Sequence, residues 1–104
     1  MKFSFLGNSG IRVSAISMGC MSLSAQNTSA TNVILHALDL GINFFDTADL
    51  YEKGQNELLL GKALKGKRKD AIIATKVGNH WTEDGNSWVW NPSKKYILEA
   101  GKVG

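Results

Sequence analysis

The sequence predicts an α/β fold, a partial (β/α)8 TIM barrel that opens on an N-terminal β-hairpin and continues through about three βα units. Three observations predict it. Short apolar runs, Phe44-Phe45 and Ile72-Ile73-Ala74, alternate with helical patterns, as strands and helices do in βαβ units. Each run ends in polar residues, Asp46-Thr47 and Thr75-Lys76, and in a barrel the carboxyl ends of the strands carry the chemistry. The chain has 104 residues, whereas a closed barrel needs about 250, so only part of the ring is expected.

The elements follow in order. Phe3-Ser4-Phe5-Leu6 and the run from Ile11 to Ile16 flank Gly7-Asn8-Ser9-Gly10, two β-favouring stretches around turn residues, which is a hairpin signature. Ile16 to Met21 reads as the first barrel strand, although Gly19 weakens it. Thr28, Ser29 and Thr31 offer N-cap oxygens before a helix built on Val33, Ile34, Ala37, Leu38 and Leu40, and Gly41 stops it. Ile42 to Asp46 is the second strand, continuously apolar as a strand covered on both faces should be. Glu57 to Lys65 is the second helix, ended by Gly66, and Ile72 begins the third strand. The crossovers should be right-handed. Asn79 to Asn91 is expected to be a long polar loop over the strand ends. Its Trp81, Trp88 and Trp90 either wall a pocket for an apolar substrate or pack onto neighbouring segments. Pro92 and Ser93 then open a helix that Gly101 should interrupt after about two turns.

Composition excludes several classes of function. With 43% hydrophobic and 20% charged residues the composition is that of an ordinary globular domain and gives no sign of disorder. Gly7-Asn8-Ser9-Gly10 cuts off the short apolar start before a signal peptide could form, and no stretch approaches the roughly 18 apolar residues of a membrane span. One cysteine, Cys20, allows no intramolecular disulfide, which fits a reducing compartment, so a cytoplasmic location without membrane contact is expected. The net charge of +3 comes largely from Lys62, Lys65, Lys67, Arg68 and Lys69. Such a run can bind nucleic acid, but cations are also favoured at a helix C-terminus, and this turn enters a strand at its bottom. Solvated surface, with no nucleic-acid partner, is the expectation.

Asp46, Tyr51 and Lys76 form the candidate catalytic set. Tyrosine near its reference pKa of about 10 is a poor proton donor or acceptor at neutral pH, whereas an ammonium within about 4–6 Å stabilises phenolate. Lys76 can supply that ammonium, and a carboxylate at Asp46 can keep Lys76 charged and oriented. An acid, an amine and a phenol at one rim would make a proton relay. Each also has an ordinary reading: Asp46 as a strand-end cap, Tyr51 as a half-buried aromatic.

The same stretches resemble the aldo-keto reductases. Residues 45 to 51 read Phe-Asp-Thr-Ala-x-x-Tyr, as that family's second strand commonly does. Gly54, Glu57, Leu60, Gly61, Ala63 and Leu64 match its following Gly-x-x-Glu-x-x-Leu-Gly-x-Ala-Leu. Thr75-Lys76 matches the pair on its third strand and Met18-Gly19 the end of its first. The resemblance covers residues 1 to 100 and identifies residues 1–104 as the N-terminal part of an aldo-keto reductase-type NADP-dependent oxidoreductase domain. It implies reduction of an aldehyde or ketone with NADPH or NADH, Tyr51 acting as general acid, Lys76 tuning it and Asp46 pairing with Lys76. It also implies that Gly19, Cys20, Met21 and Asp46 lie nearest the nicotinamide and its ribose. Core filling is the alternative for Cys20 and Met21. No Gly-x-Gly-x-x-Gly follows a strand, which disfavours a Rossmann dehydrogenase.

The chain departs from the family in two ways. The family's catalytic histidine at the end of the fourth strand has no counterpart: His36 falls in a helix and His80 in the loop after Lys76, where a solvated surface role is expected. The later loops that hold the adenosine and phosphates of the cofactor are also absent from these residues. A truncated chain with little activity of its own is therefore expected. The alternative is a non-catalytic remnant that self-associates or binds a partner through exposed sheet edges. A nucleic-acid module, resting on the Lys62 to Lys69 cluster alone, is a third reading.

Overall fold

A computed structural model describes residues 1–103 and shows a partial α/β barrel. Strands β1 (Phe3–Phe5) and β2 (Arg12–Ser14) form the antiparallel hairpin, in register Phe3 to Ser14 and Phe5 to Arg12. Helix α1 (Ala30–Asp39) follows β3 (Met18–Gly19), helix α2 (Gln55–Ala63) follows β4 (Phe44–Asp46), and β5 (Ile72–Ala74) completes a parallel sheet of order β3-β4-β5. A second antiparallel hairpin, β6 (Asn79–Trp81) with β7 (Trp88–Trp90), precedes helix α3 (Lys94–Val103).

The parallel register decides what each face holds. Met18, Phe45 and Ile73 share one row, and Gly19, Asp46 and Ala74 the next. Successive strand residues point to opposite faces, so the first row turns to the helices and the second to the open side. Phe45 is fully buried against Ile34 and Ala37 of α1 and Leu59, Leu60 and Ala63 of α2, with Met18 and Ile73 packed on the cluster. The buried stripe of α2, Asn56, Leu59, Leu60 and Ala63, has the spacing that puts residues on one helical face. Cys20 belongs to this core, and burial pushes its thiol up to about 11, so it stays protonated at neutral pH. The hairpin is tied to the sheet through Asn43. Its Oδ1 accepts the Ser14 N–H at 2.7 Å and its Nδ2 donates to the Arg12 carbonyl at 3.1 Å.

Five local expectations are corrected. The segment 79–91 is not an open loop, because the two Trp-rich ends pair as β6 and β7 across the turn at Thr82–Ser87. Gly101 does not interrupt α3, which runs through it to Val103: a glycine in a helix interior costs only about 1 kcal/mol, too little to stop a helix. None of Thr28, Ser29 or Thr31 caps α1. Ser29 occupies the N-cap with helical φ/ψ and no side-chain cap bond, Thr31 lies inside the helix, and Asn27 Oδ1 accepts the Ser29 N–H at 2.9 Å. The first strand shrinks to two residues, and α2 begins at Gln55, two residues early. Gly41 ends α1 as expected, at φ 97°, where a Cβ would stand 2.9 Å from Met1 Cβ. The basic residues 62 to 69 are exposed, and Lys67 to Lys69 lie just before the amino end of β5.

Candidate active site

Three loops leave the carboxyl ends of β3, β4 and β5 side by side. The Cys20 N–H donates to the Asp46 carbonyl at 2.9 Å, the Thr47 N–H to Ala74 at 2.8 Å, and the Asp49 N–H to Lys76 at 3.1 Å. These bonds extend the sheet's pairing past its last residues, and they bring residues 46 and 76 to one rim.

Lys76 and Asp46 meet directly. The ammonium Nζ donates to Asp46 Oδ1 at 2.8 Å and to the Thr47 carbonyl at 2.6 Å, and it sits 5.2 Å from the centroid of the Tyr51 ring. Among the described residues this is the only ion pair. Partial burial acts to lower the Lys76 pKa, but the hydrogen bond and charge of Asp46, followed by Tyr51, outweigh it and raise the value above the usual lysine range. A folded-state pKa raised above the unfolded one stabilises the fold below the unfolded lysine value of about 10.4, and that contribution disappears as pH climbs through the folded value. Both side chains are about half exposed, at 51% and 48%, so solvent screens the pair and its share of stability is small. Asp46→Asn is expected to move the Lys76 titration midpoint downward in a lysine-selective NMR titration. A midpoint that stays in place would show that Asp46 does not hold the ammonium.

Tyr51 stands at the head of a 3-10 turn, Tyr51–Gly54, that leads into α2. Glu52 in that turn reaches back to the loop after β3: its Oε1 accepts the Ala25 N–H at 2.7 Å and its Oε2 the Ser24 hydroxyl at 2.8 Å, which hold its carboxyl below the usual range. Beneath the rim lies Asn56, wholly buried. It accepts the Thr47 hydroxyl at 2.6 Å and donates to the carbonyls of Cys20 and Leu23, both at 2.8 Å. One amide thus joins the loops after β3 and β4 to helix α2. Thr75, beside Lys76, donates its hydroxyl to Glu57 Oε1 at 2.6 Å.

The other expected positions separate. Gly19 and Met21 are exposed at the end of β3, Met21 at 67%, while the Cys20 thiol is buried in the core and only its backbone faces the rim. His36 is exposed on α1. His80 stacks on Tyr96 with ring centroids 4.5 Å apart, and its Nδ1 lies 3.2 Å from Asn91 Nδ2. Tyr96 donates its hydroxyl to Asp49 Oδ2 at 2.7 Å, and burial, with the Asp49 bond and charge, pushes its pKa up to about 12. Of the three indoles, Trp81 is half-buried and lines a cavity of about 300 Å3 with Asp49, Glu57, His80 and Tyr96. Trp88 and Trp90 are exposed, at 53% and 70%.

Asn56, Glu52 and Tyr96 were not expected. Asn56 carried a signal, a lone amide at the first position of the apolar stripe of α2. Glu52 and Tyr96 carried none, because the partners of Glu52 lie 27 and 28 residues away and Asp49 lies 47 residues from Tyr96.

The family model described as the aldo/keto reductase family matches residues 15–101. The chain belongs to that family. Its similarity to solved relatives is close: an aldo-keto reductase, AKR11C1 from Bacillus halodurans, solved in a holo form, superposes with a TM-score of 0.93 at 51% identity, over 99% of this chain and 35% of the relative. The uncharacterized oxidoreductase YqkF of Bacillus subtilis is 46% identical over 97 residues, 93% of this chain and 32% of YqkF. The glycerol dehydrogenase AKR11B4 from Gluconobacter oxydans, at 24% identity and a TM-score of 0.83, shares the fold. This aldo/keto reductase chain therefore spans about a third of the length of YqkF and of AKR11C1. No helix among the described residues is long and apolar enough to cross a membrane.

Proposed function

We propose that this chain supplies the proton-donating side of a carbonyl reductase site, with Tyr51 as general acid, Lys76 as its electrostatic support and Asp46 as the anchor of Lys76. The observation that carries the proposal is the Lys76 ammonium, 2.8 Å from Asp46 and 5.2 Å from the Tyr51 ring. Tyr51 would give its proton to the oxygen of an aldehyde or ketone as negative charge grows there. Lys76 would stabilise the phenolate left behind, by Coulomb attraction that strengthens as water is excluded. Asp46 would keep Lys76 charged and hold its side chain over the ring.

The residues at the rim suit a reduced nicotinamide cofactor, NADPH or NADH. Asp46 remains half exposed after Lys76 has taken Oδ1, so the carboxylate can still accept a ribose hydroxyl. Nothing lies within 4 Å of where a Cβ on Gly19 would stand, and Met21 beside it is open to solvent. Asp46, Gly19, Met21 and the Cys20 backbone would hold the nicotinamide end. When bound, such a cofactor supplies a hydride to the carbonyl carbon. The chain's own residues would align the acceptor and deliver the proton.

The test is a chimera in which residues 1–103 replace the matching third of the Bacillus halodurans relative, assayed for NADPH oxidation with a generic aldehyde. Reduction that depends on Tyr51 supports the proposal, and a folded chimera without activity, or one indifferent to Tyr51, refutes it. The 104-residue chain assayed alone should show little or no turnover, since the corresponding enzymes are about three times as long.

A second reading, self-association or pairing with another chain, is favoured by one observation. Strands β3 and β5 are the two edges of the sheet, and unpaired edges recruit further strands. Elution on size exclusion that shifts to larger size with concentration would support it, and a concentration-independent monomer would rule it out.

A further inference from the structure

The turn that carries Tyr51 has a backbone that its own sequence does not favour. Glu52 has φ 50° and ψ 37°, Lys53 has φ 56° and ψ 39°, and Gly54 follows at φ 91°. Glycine adopts this left-handed region freely, whereas in Glu52 and Lys53 the Cβ crowds the neighbouring carbonyl. Two such residues in succession persist only where their surroundings over-determine them.

Two sets of contacts grip the turn. Glu52 is held by Ser24 and Ala25, as described above. The second hold comes from Trp81 of β6. Its indole Nε1–H donates to the Leu50 carbonyl at 3.2 Å, and the Lys53 ammonium lies 5.0 Å over its ring. Trp88 backs the indole edge-on, with centroids 5.7 Å apart. Gly85, at the tip of the same hairpin, leaves the space that Lys53 fills: a Cβ there would stand 2.7 Å from its Nζ. One indole thus holds Leu50 and Lys53, which bracket Tyr51 and Glu52 in the chain.

We infer that Trp81 is a positioning residue for Tyr51, clamping the strained turn so that the phenol stays beside Lys76. The inference rests on the reading of Tyr51 as proton donor. It also gives the β6–β7 hairpin a role separate from walling a substrate pocket: without the clamp, the turn relaxes toward ordinary φ values and carries the ring away from the ammonium.

NMR on the 104-residue chain tests the geometry without turnover. In the unaltered chain, the Trp81 indole N–H should exchange with solvent roughly tenfold or more slowly than the indoles of Trp88 and Trp90, since only an opened clamp exposes it. Trp81→Phe keeps an aromatic ring and removes the donor. It should abolish most of the NOE between Tyr51 ring protons and the Lys76 side chain while the core amides of Ile34 and Phe45 keep their shifts. Lys53→Met keeps the stem, removes the ammonium and should weaken the same NOE less. A Trp81 indole that exchanges as fast as the other two overturns the clamp, as does an NOE unchanged in both variants. Should Trp81→Phe fail to fold, the exchange rates and Lys53→Met decide the matter. Loss of the clamp appears in these NOEs, whereas failure of the proton-donor reading appears in a Tyr51→Phe variant that still turns over.

Discussion

Replacing Tyr51 with phenylalanine is expected to lower carbonyl reduction by about 10²–10⁴-fold in the chimera with the Bacillus halodurans relative, the range that a positioned general acid supplies. Phenylalanine fills the same space and keeps a ring 5.2 Å from the Lys76 ammonium, so the fold and the cation–π contact survive while the transferable proton does not. The proton moves only as charge develops on the substrate oxygen. The loss should therefore fall on kcat, with KM little changed. Lys76→Met should lose a large part of the same rate, and the double variant should be little worse than the poorer single one, because the two groups act as a unit. A Tyr51→Phe variant that stays within about threefold of the parent would remove the general-acid role, since that is far below what proton donation contributes.

Asn56→Ala is expected to be the most destabilising polar substitution at the rim, by about 3 kcal/mol or more. The amide satisfies the Thr47 hydroxyl and the carbonyls of Cys20 and Leu23, and it is wholly buried. Truncation leaves those groups without their partner, and each stranded buried group costs about 1–3 kcal/mol. Water entering the vacated space would recover part of that. Against a total stability of about 5–15 kcal/mol for a domain, the loss is large. Asn56→Asp separates hydrogen bonding from volume: it keeps the size, loses both donor bonds and adds a buried charge, so at neutral pH it should be at least as damaging as alanine. Urea midpoints measure both. An Asn56→Ala midpoint close to that of the parent would show that the two loops and α2 are held by something else.

Much of the partial barrel was legible because its signals are local and periodic. The apolar runs at Phe44-Phe45 and Ile72-Ile73 gave the parallel strands, and the spacing of Ile34, Ala37 and Leu38 gave α1, with Gly41 free to adopt the positive φ that ends it. The candidate site was legible in part for the same reason. Strand register carries Asp46 and Lys76 to one rim once β4 and β5 pair, and their meeting at 2.8 Å follows. The Trp-rich segment misled because its polar middle, Asp84-Gly85-Asn86-Ser87, looks the same in an open loop as in the turn of a hairpin. Gly101 misled because propensity is a weak term beside a helix already nucleated at Ser93, where the side-chain hydroxyl accepts the Tyr96 N–H at 3.2 Å.

The sequence by itself determined the order of strands and helices outside residues 79–91 and the residue types gathered at the strand ends. Tertiary structure alone decided what holds those residues in place: Asn56 beneath the rim, Glu52 on the loop before α1, Trp81 against the turn of Tyr51, and Tyr96 on Asp49. The bonds from Glu52 to Ala25, Asn56 to Cys20, Trp81 to Leu50 and Tyr96 to Asp49 join residues 27 to 47 positions apart. A periodic pattern records which side of an element avoids water, a property of neighbours along the chain. A single directional hydrogen bond between distant segments leaves no such trace, because it exists only once packing has set its donor and acceptor within about 3 Å of each other.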